Sequence, residues 1–342
     1  MSTERSTPAQ GENVEKRMGR GLKVCLSILL TLTLFLAVVN LIPPKKVMED
    51  NPFLKAADDL PMIAAHRGGG LSNPENTLMA FRAAVNDYGI QICETDLWMT
   101  ADGHLVYSHD ASINRMACPE GTEPVLIAEH TLEELREYNM GYNFADPFSG
   151  DYPYRDLSEA EQLELGLKIL EFSELLEEFY GTNKDLLFIV EIKNEGELGF
   201  EAANIIDKTL TERFPDYKNR LVVGTFHPEI EMDLKDHHPG LLRGASTAGA
   251  ARFVITQMLG VNLFFPTDFA CLQIPMSYTL KGVRLDLTRQ SYIDRAHREN
   301  IAVQYWTIND EDDMHFLIEH GADAIMTDDP QLLARVLEDY RG

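Results

Sequence analysis

Two carboxylates and an imidazole share the stretch ETDLWMTADGHLVYSHD. Glu94 and Asp96 are two positions apart in a strand-like run, and strand side chains alternate faces, so both project to one side. Asp102-Gly103 signals a hairpin. A two-residue turn there sets position 101 against 104 and, counted outward, places His109 across from Asp96 and diagonal to Glu94, whereas a one-residue bulge in the turn shifts the partner but keeps the cluster nearby. Two more stretches carry matching groups. MIAAHRGG runs an apolar strand into His66 and Arg67. LLFIVEIKN puts Glu191 and Lys193 on one face of an otherwise apolar strand, where an ionised group is costly unless paired or metal-bound. Three carboxylates, Glu94, Asp96 and Glu191, with no soft ligand suit Mg²⁺ or Ca²⁺ better than zinc. Arg67 and Lys193 offer the local positive charge a phosphate needs. An imidazole can exchange protons near neutral pH, so of His66 and His109 one can act as base and the other as acid.

Strands must deliver these groups to one rim. From Met62 onward short apolar runs alternate with longer amphipathic stretches, the pattern of a parallel sheet with crossover helices. The expected strands are Met62 to His66, Ile92 to Leu97, Leu187 to Ile192, Leu221 to Thr225, Leu241 to Gly244, Val261 to Phe265, Ile301 to Thr307 and Ala324 to Met326. The expected fold is therefore α/β, a (β/α)8 TIM barrel with its site at the strands' carboxyl ends. Asn73 and Pro74 predict a first helix from Pro74 to Tyr88, closed by Gly89. Residues 111–170 fit no strand-helix unit and read as a small insertion over the barrel mouth, with TLEELREY as a helix. His227, in TFHPE, reads as a loop histidine.

The 342 residues hold 55 Asp and Glu against 30 Lys and Arg, a net charge of -25, which leaves no basic surplus for nucleic acid. An anionic substrate gains nothing from that long-range field, so a phosphate site needs a cation and clustered basic groups. Cys25, Cys93, Cys118 and Cys271 have neither paired metal-ligand spacing nor the density of a disulfide scaffold.

Between Lys23 and Lys45 lie 21 uncharged residues, enough for a helix of about 31 Å, matching a hydrocarbon core of roughly 30 Å. A cleaved signal peptide shares the basic-then-apolar design. The length of the stretch and the lack of a small-x-small site in AVVN favour an uncleaved anchor. Arg5, Lys16, Arg17, Arg20 and Lys23 precede it, so the positive-inside bias puts the amino terminus in the cytoplasm and the body outside the cell membrane. The expected division is a disordered cytoplasmic tail (1–20), a transmembrane anchor (21–44), a linker (45–60) and the barrel domain (61–342).

AHRGGGLSNPENTLMAF and ETDLWMTADGHLVYSHD, followed by VEIK, YWTIND and GADAIMTDDP, resemble the glycerophosphodiester phosphodiesterases in matching order over residues 62–335. The resemblance implies a barrel, a divalent cation, and hydrolysis of glycerophosphodiesters to glycerol 3-phosphate and an alcohol. It implies His66 and His109 as acid and base, Glu94, Asp96 and Glu191 as metal ligands, and Arg67 and Lys193 as phosphate contacts. Trp306 and Asn309 would either line the pocket or serve as a core aromatic and a turn former, and Glu75 and Asn76 would organise the first helix and its loop, with an approach of Glu75 to the metal as the alternative. By analogy with the family, a glycerol hydroxyl acts as internal nucleophile and gives a cyclic phosphate that water opens. The family's usual Ser-Phe after the fourth strand is here Thr225-Phe226-His227. A lipid phosphodiesterase of lysophospholipase D type, and a non-catalytic surface module that keeps the barrel, are the alternatives.

Overall fold

The computed structural model describes residues 11–341. Eight barrel strands follow the apolar runs: β1 (Met62–His66), β2 (Ile92–Met99), β3 (Leu187–Ile192), β4 (Leu221–Thr225), β5 (Leu242–Arg243), β6 (Cys271–Ile274), β7 (Ala302–Tyr305) and β8 (Ala324–Thr327). They pair in parallel in the order β5-β4-β3-β2-β1-β8-β7-β6. A parallel bridge between Gly244 and Cys271, with Ala270 N–H donating to Arg243 O and Ala245 N–H to Cys271 O, joins the two ends. The eight parallel strands thus form the expected TIM barrel.

Period-two alternation sorts each strand's side chains. One set, including Ile63, Ala65, Cys93, Leu97, Phe188 and Val190, meets the surrounding helices in the larger apolar cluster. The other set, with Ala64, Ile92, Leu187, Ile189, Val222, Ala302 and Ala324, fills the interior. Phe53, fully buried, belongs to this inner cluster, and Asn51 Nδ2 donates to Ala270 O and Asn300 O near the strands' amino ends. Asn51 and Phe53, within the expected linker of residues 45–60, thus pack against the barrel.

Three local expectations need correction. The sixth strand is Cys271–Ile274, not Val261 to Phe265, where a single 3-10 turn lies over Asn262–Phe264. A barrel strand must pair on both sides, and β6 pairs along its whole length with β7. Phe264 and Phe265 instead stay about half exposed, at 55% and 47%. The first helix starts at Leu78 rather than Pro74, because Asn76 adopts the left-handed φ of 57° and Thr77 becomes the cap, accepting from Ala80 N–H. The helix in TLEELREY spans only Leu132–Leu135, set by a Thr131/Glu134 capping box.

The insertion forms its own small apolar cluster, with Ile113, Ile127, Leu135, Met140 and Ile169. The amino-terminal helix, Gly11–Leu41, begins within the segment expected to be disordered; residues 1–10 lie outside the described ones. The four cysteines are free, Cys25 exposed and the others buried. The chain divides into two compact units: the amino-terminal helix to Lys45 with Ile255–Pro266, and Lys46–Val254 with the chain from Thr267 onward.

Candidate active site

The inward set turns ionic toward the strands' carboxyl ends. Register puts His66 beside Glu94 and Asp96 beside Glu191, and Glu191 pairs with Gly224, which contributes no side chain of its own. Glu94 and Asp96 are 5% and 2% exposed. Lys193 Nζ lies 2.9 Å from Asp96 Oδ1 and 2.8 Å from Glu191 Oε1. Its ammonium neutralises these two carboxylates. Arg67 Nε is 3.4 Å from Asp96 Oδ2, an ion pair without hydrogen-bond alignment. Both atoms are buried with no hydrogen-bond partner. An orphaned carboxylate oxygen in an all-oxygen set fits a hard divalent cation.

Burial raises the Glu94 carboxyl to about 7, with Asp96 and Glu191 pushing the same way against His66. Burial also lifts Glu191, opposed chiefly by Lys193. Burial would lower the Lys193 ammonium, but Asp96 and Glu191 outweigh it and leave it raised. Burial would likewise lower His66, and the carboxylates of Glu94 and Asp328 outweigh it, favouring imidazolium.

A tight turn after β1 sets His66 and Arg67. Arg67 is left-handed at φ 55°, its N–H donates to Glu94 Oε2 at 3.1 Å, and Gly69 has φ 92°. A Cβ on Gly69 would meet Pro330 Cγ at 2.7 Å, so glycine is required there. His66 Nδ1 lies 2.6 Å from Asp328 Oδ1, which leaves Nε2 facing Glu94 at 3.9 Å. Asn309 Nδ2 donates to Asp328 Oδ2, while Asn309 Oδ1 accepts from Asp328 N–H and Thr327 Oγ1. Asn309 thus braces the partner of His66 instead of simply lining the pocket. Asp328 escaped the sequence reading, although its period-two relation to Ala324 and Met326 was the available signal.

His109 departs from its expected position. The hairpin closes through residues 101–103, with Thr100 N–H donating to His104 O, so pairing shifts by one residue and Ser108, not His109, donates its N–H to Asp96 O. His109 Nδ1 lies instead 2.8 Å from Asp110 Oδ1. A chain of ion pairs leads back to the carboxylates: Asp110 to Arg115 (2.6 Å), Arg115 to Glu75 (2.6 Å), Glu75 to Arg67 (3.4 Å) and Arg67 to Asp96 (3.4 Å). Glu75 therefore meets two guanidinium groups. Asn76 Oδ1 accepts from Thr95 Oγ1, so this part of PENT fastens the turn to β2. Trp306 is half-buried and packs against the inner apolar cluster.

His227 joins Glu195 and Glu229 in a group whose ligand atoms lie within 4.8 Å of one another. Its Nε2 is 3.0 Å from Lys193 O and Glu195 is exposed, so this loop group is distinct from the carboxylate set on β2 and β3.

A family model described as the glycerophosphoryl diester phosphodiesterase family matches residues 66–332. A glycerophosphodiester phosphodiesterase of Caldanaerobacter subterraneus is 26% identical over 278 residues, 81% of this chain and 97% of that one. The glycerophosphoryl diester phosphodiesterase domain of a Mycobacterium tuberculosis protein superposes with a TM-score of 0.65 at 20% identity, over 83% of this chain and all of that one. An Oleispira antarctica phosphodiesterase, solved with the product sn-glycerol-3-phosphate, gives 0.58 at 24% identity, over 82% and 97%.

Proposed function

The chain belongs to the glycerophosphoryl diester phosphodiesterase family, and from that premise we propose that it hydrolyses glycerophosphodiesters to glycerol 3-phosphate and an alcohol. The observation that carries the reading is the carboxylate set of buried Glu94 and Asp96 with half-buried Glu191, beside His66, Arg67 and Lys193. The product bound to the Oleispira relative supports the same substrate class.

Glu94, Asp96 and Glu191 would hold one divalent cation, Mg²⁺ or Ca²⁺, which when bound polarises phosphoryl oxygens and neutralises charge developing on them. Arg67 and Lys193 would hold the phosphate, and Trp306 would border the pocket. A glycerol hydroxyl attacks phosphorus. One histidine of the pair His66 and His109 takes the hydroxyl proton, while the other gives a proton to the departing alcohol oxygen. The resulting cyclic phosphate is opened by water with the roles exchanged. Asp328 positions His66 so that Nε2 is the nitrogen that moves the proton.

The raised Glu94 carboxyl implies competition between proton and cation. Below about pH 7 that group holds a proton which a cation must displace. Apparent Mg²⁺ or Ca²⁺ affinity is therefore expected to fall roughly tenfold per pH unit below 7 and to level above it. Calorimetric titrations in buffers of different ionisation enthalpy measure both affinity and protons released; an affinity unchanged between pH 5.5 and 7 refutes this.

The apolar helix Gly21–Leu41 has the length and composition of a membrane span or a signal sequence. We read it as a retained single-pass anchor for the 61–342 catalytic domain, amino terminus cytoplasmic and barrel outside. Such a tether gives weight to a second substrate, lysophospholipid. Assays on glycerophosphocholine and lysophosphatidylcholine separate the two, with glycerol 3-phosphate and choline expected from the first. Turnover of the lysolipid alone overturns the assignment, and binding without turnover of either marks a surface module.

A further inference from the structure

The unit formed by the amino-terminal helix and Ile255–Pro266 holds a surface that the hydrolytic chemistry does not use. Residues 253–267 run for 15 positions without a charge, in a chain that is 25% charged. Ile255, Met258 and Leu259 follow i, i+3, i+4 spacing on the end of helix Thr247–Leu259, so they share a face. All three are exposed, at 53%, 57% and 61%, as are Phe264 and Phe265 in the turn that follows. The polar neighbours Thr256 and Gln257 are buried, at 8% and 1%. A helix end that hides its amide and hydroxyl and shows its aliphatic side chains is inverted relative to a water-facing surface.

Its position along the amino-terminal helix points to the occupant. Phe264 stacks on Phe35, ring centroids 6.3 Å apart and planes 14° from parallel. Asn40 Nδ2 donates to Gly260 O at 2.9 Å. Gly260 has a φ of 67°, and a Cβ there would come within 3.1 Å of Asn40 Nδ2, so the close approach depends on glycine. At 1.5 Å per residue, Phe35 lies about 9 Å inward from the helix end at Leu41. Phe264 shares that level, within the 5–10 Å to which interfacial apolar faces sink.

We propose that Ile255–Pro266 is an interfacial insert whose apolar face enters the phospholipid leaflet where the amino-terminal helix emerges. Resting on the reading of that helix as a span, the insert gives the chain a second hold on the membrane, within the connection between β5 and β6. The uncharged surface suits this, since an acidic one would be repelled by anionic headgroups.

The test uses the full chain in phosphatidylcholine liposomes, with Cys25→Ser to remove the exposed thiol. Nitroxides are attached singly at Phe35→Cys, Met258→Cys, Phe264→Cys and, as the exposed barrel reference, Glu201→Cys. Collision with oxygen should exceed collision with a water-soluble nickel chelate at 35, 258 and 264, and the order should reverse at 201. A bilayer signature at 35 with an aqueous one at both 258 and 264 overturns the insert and leaves the span standing. Aqueous signatures at all four overturn both. Spin–spin broadening at 264 that vanishes on dilution with unlabelled protein assigns the surface to a second copy and also overturns the insert. Should Phe264→Cys fail to fold, Met258→Cys decides alone, because it leaves the stacked ring pair intact.

Discussion

Alanine at His66 is expected to lower kcat/KM by about 10²- to 10⁴-fold, the range for loss of a positioned acid or base, and alanine at His109 by a similar factor. A hundredfold loss corresponds to about 2.7 kcal/mol of transition-state stabilisation. Steady-state assays on glycerophosphocholine measure it, and unchanged turnover in both variants removes the acid–base assignment. Asp328→Asn separates chemistry from positioning. It keeps the ring and a hydrogen-bonding side chain but removes the 2.6 Å ionic partner that helps raise His66. Its kcat should fall less than that of His66→Ala. The pH–rate limb belonging to His66 should move toward acid, since a histidine deprived of a neighbouring anion loses its proton at lower pH. A purely structural role for Asp328 would lower stability without moving that limb.

Removing divalent cations should abolish hydrolysis, with a loss of at least about 10³-fold, because a bound cation supplies several kcal/mol of charge stabilisation. Mg²⁺ or Ca²⁺ added back should restore it. Asp96→Asn should raise the cation concentration needed for half-maximal rate, since it neutralises a carboxylate whose buried Oδ2 has no hydrogen-bond partner. Lys193 gives this experiment a second edge. Without a cation its ammonium neutralises Asp96 and Glu191, so Lys193→Met should leave these two carboxylates under-compensated and lower stability in chelator. Saturating cation should recover part of that stability, by the linkage between binding and folding. Full activity in excess chelator would falsify the cation site.

Local periodicity alone determined much of this protein. The spacing of Glu94 and Asp96, and of Glu191 and Lys193, settles which strand face they share, because a pleated strand alternates whatever it packs against. Apolar runs at regular intervals made the parallel barrel legible, and an uncharged stretch made the amino-terminal helix legible. The neighbouring motifs marked the same rim. Where apolarity was the only signal, the reading went astray: Val261 to Phe265 looks like a strand, yet two-sided pairing belongs to Cys271–Ile274.

Only the tertiary structure decided the partnerships. One extra residue in the hairpin loop set Ser108 rather than His109 across from Asp96, a choice made by turn geometry and not by alternation. Arg115 of the insertion reached Glu75, and Phe53 joined the barrel interior. Asp328 closed on His66 across 262 residues of sequence. Side-chain orientation along a strand is a local property of the backbone. Contact between distant segments depends on closure of the whole barrel, which brings the first strand against the last, and no short-range pattern encodes that meeting.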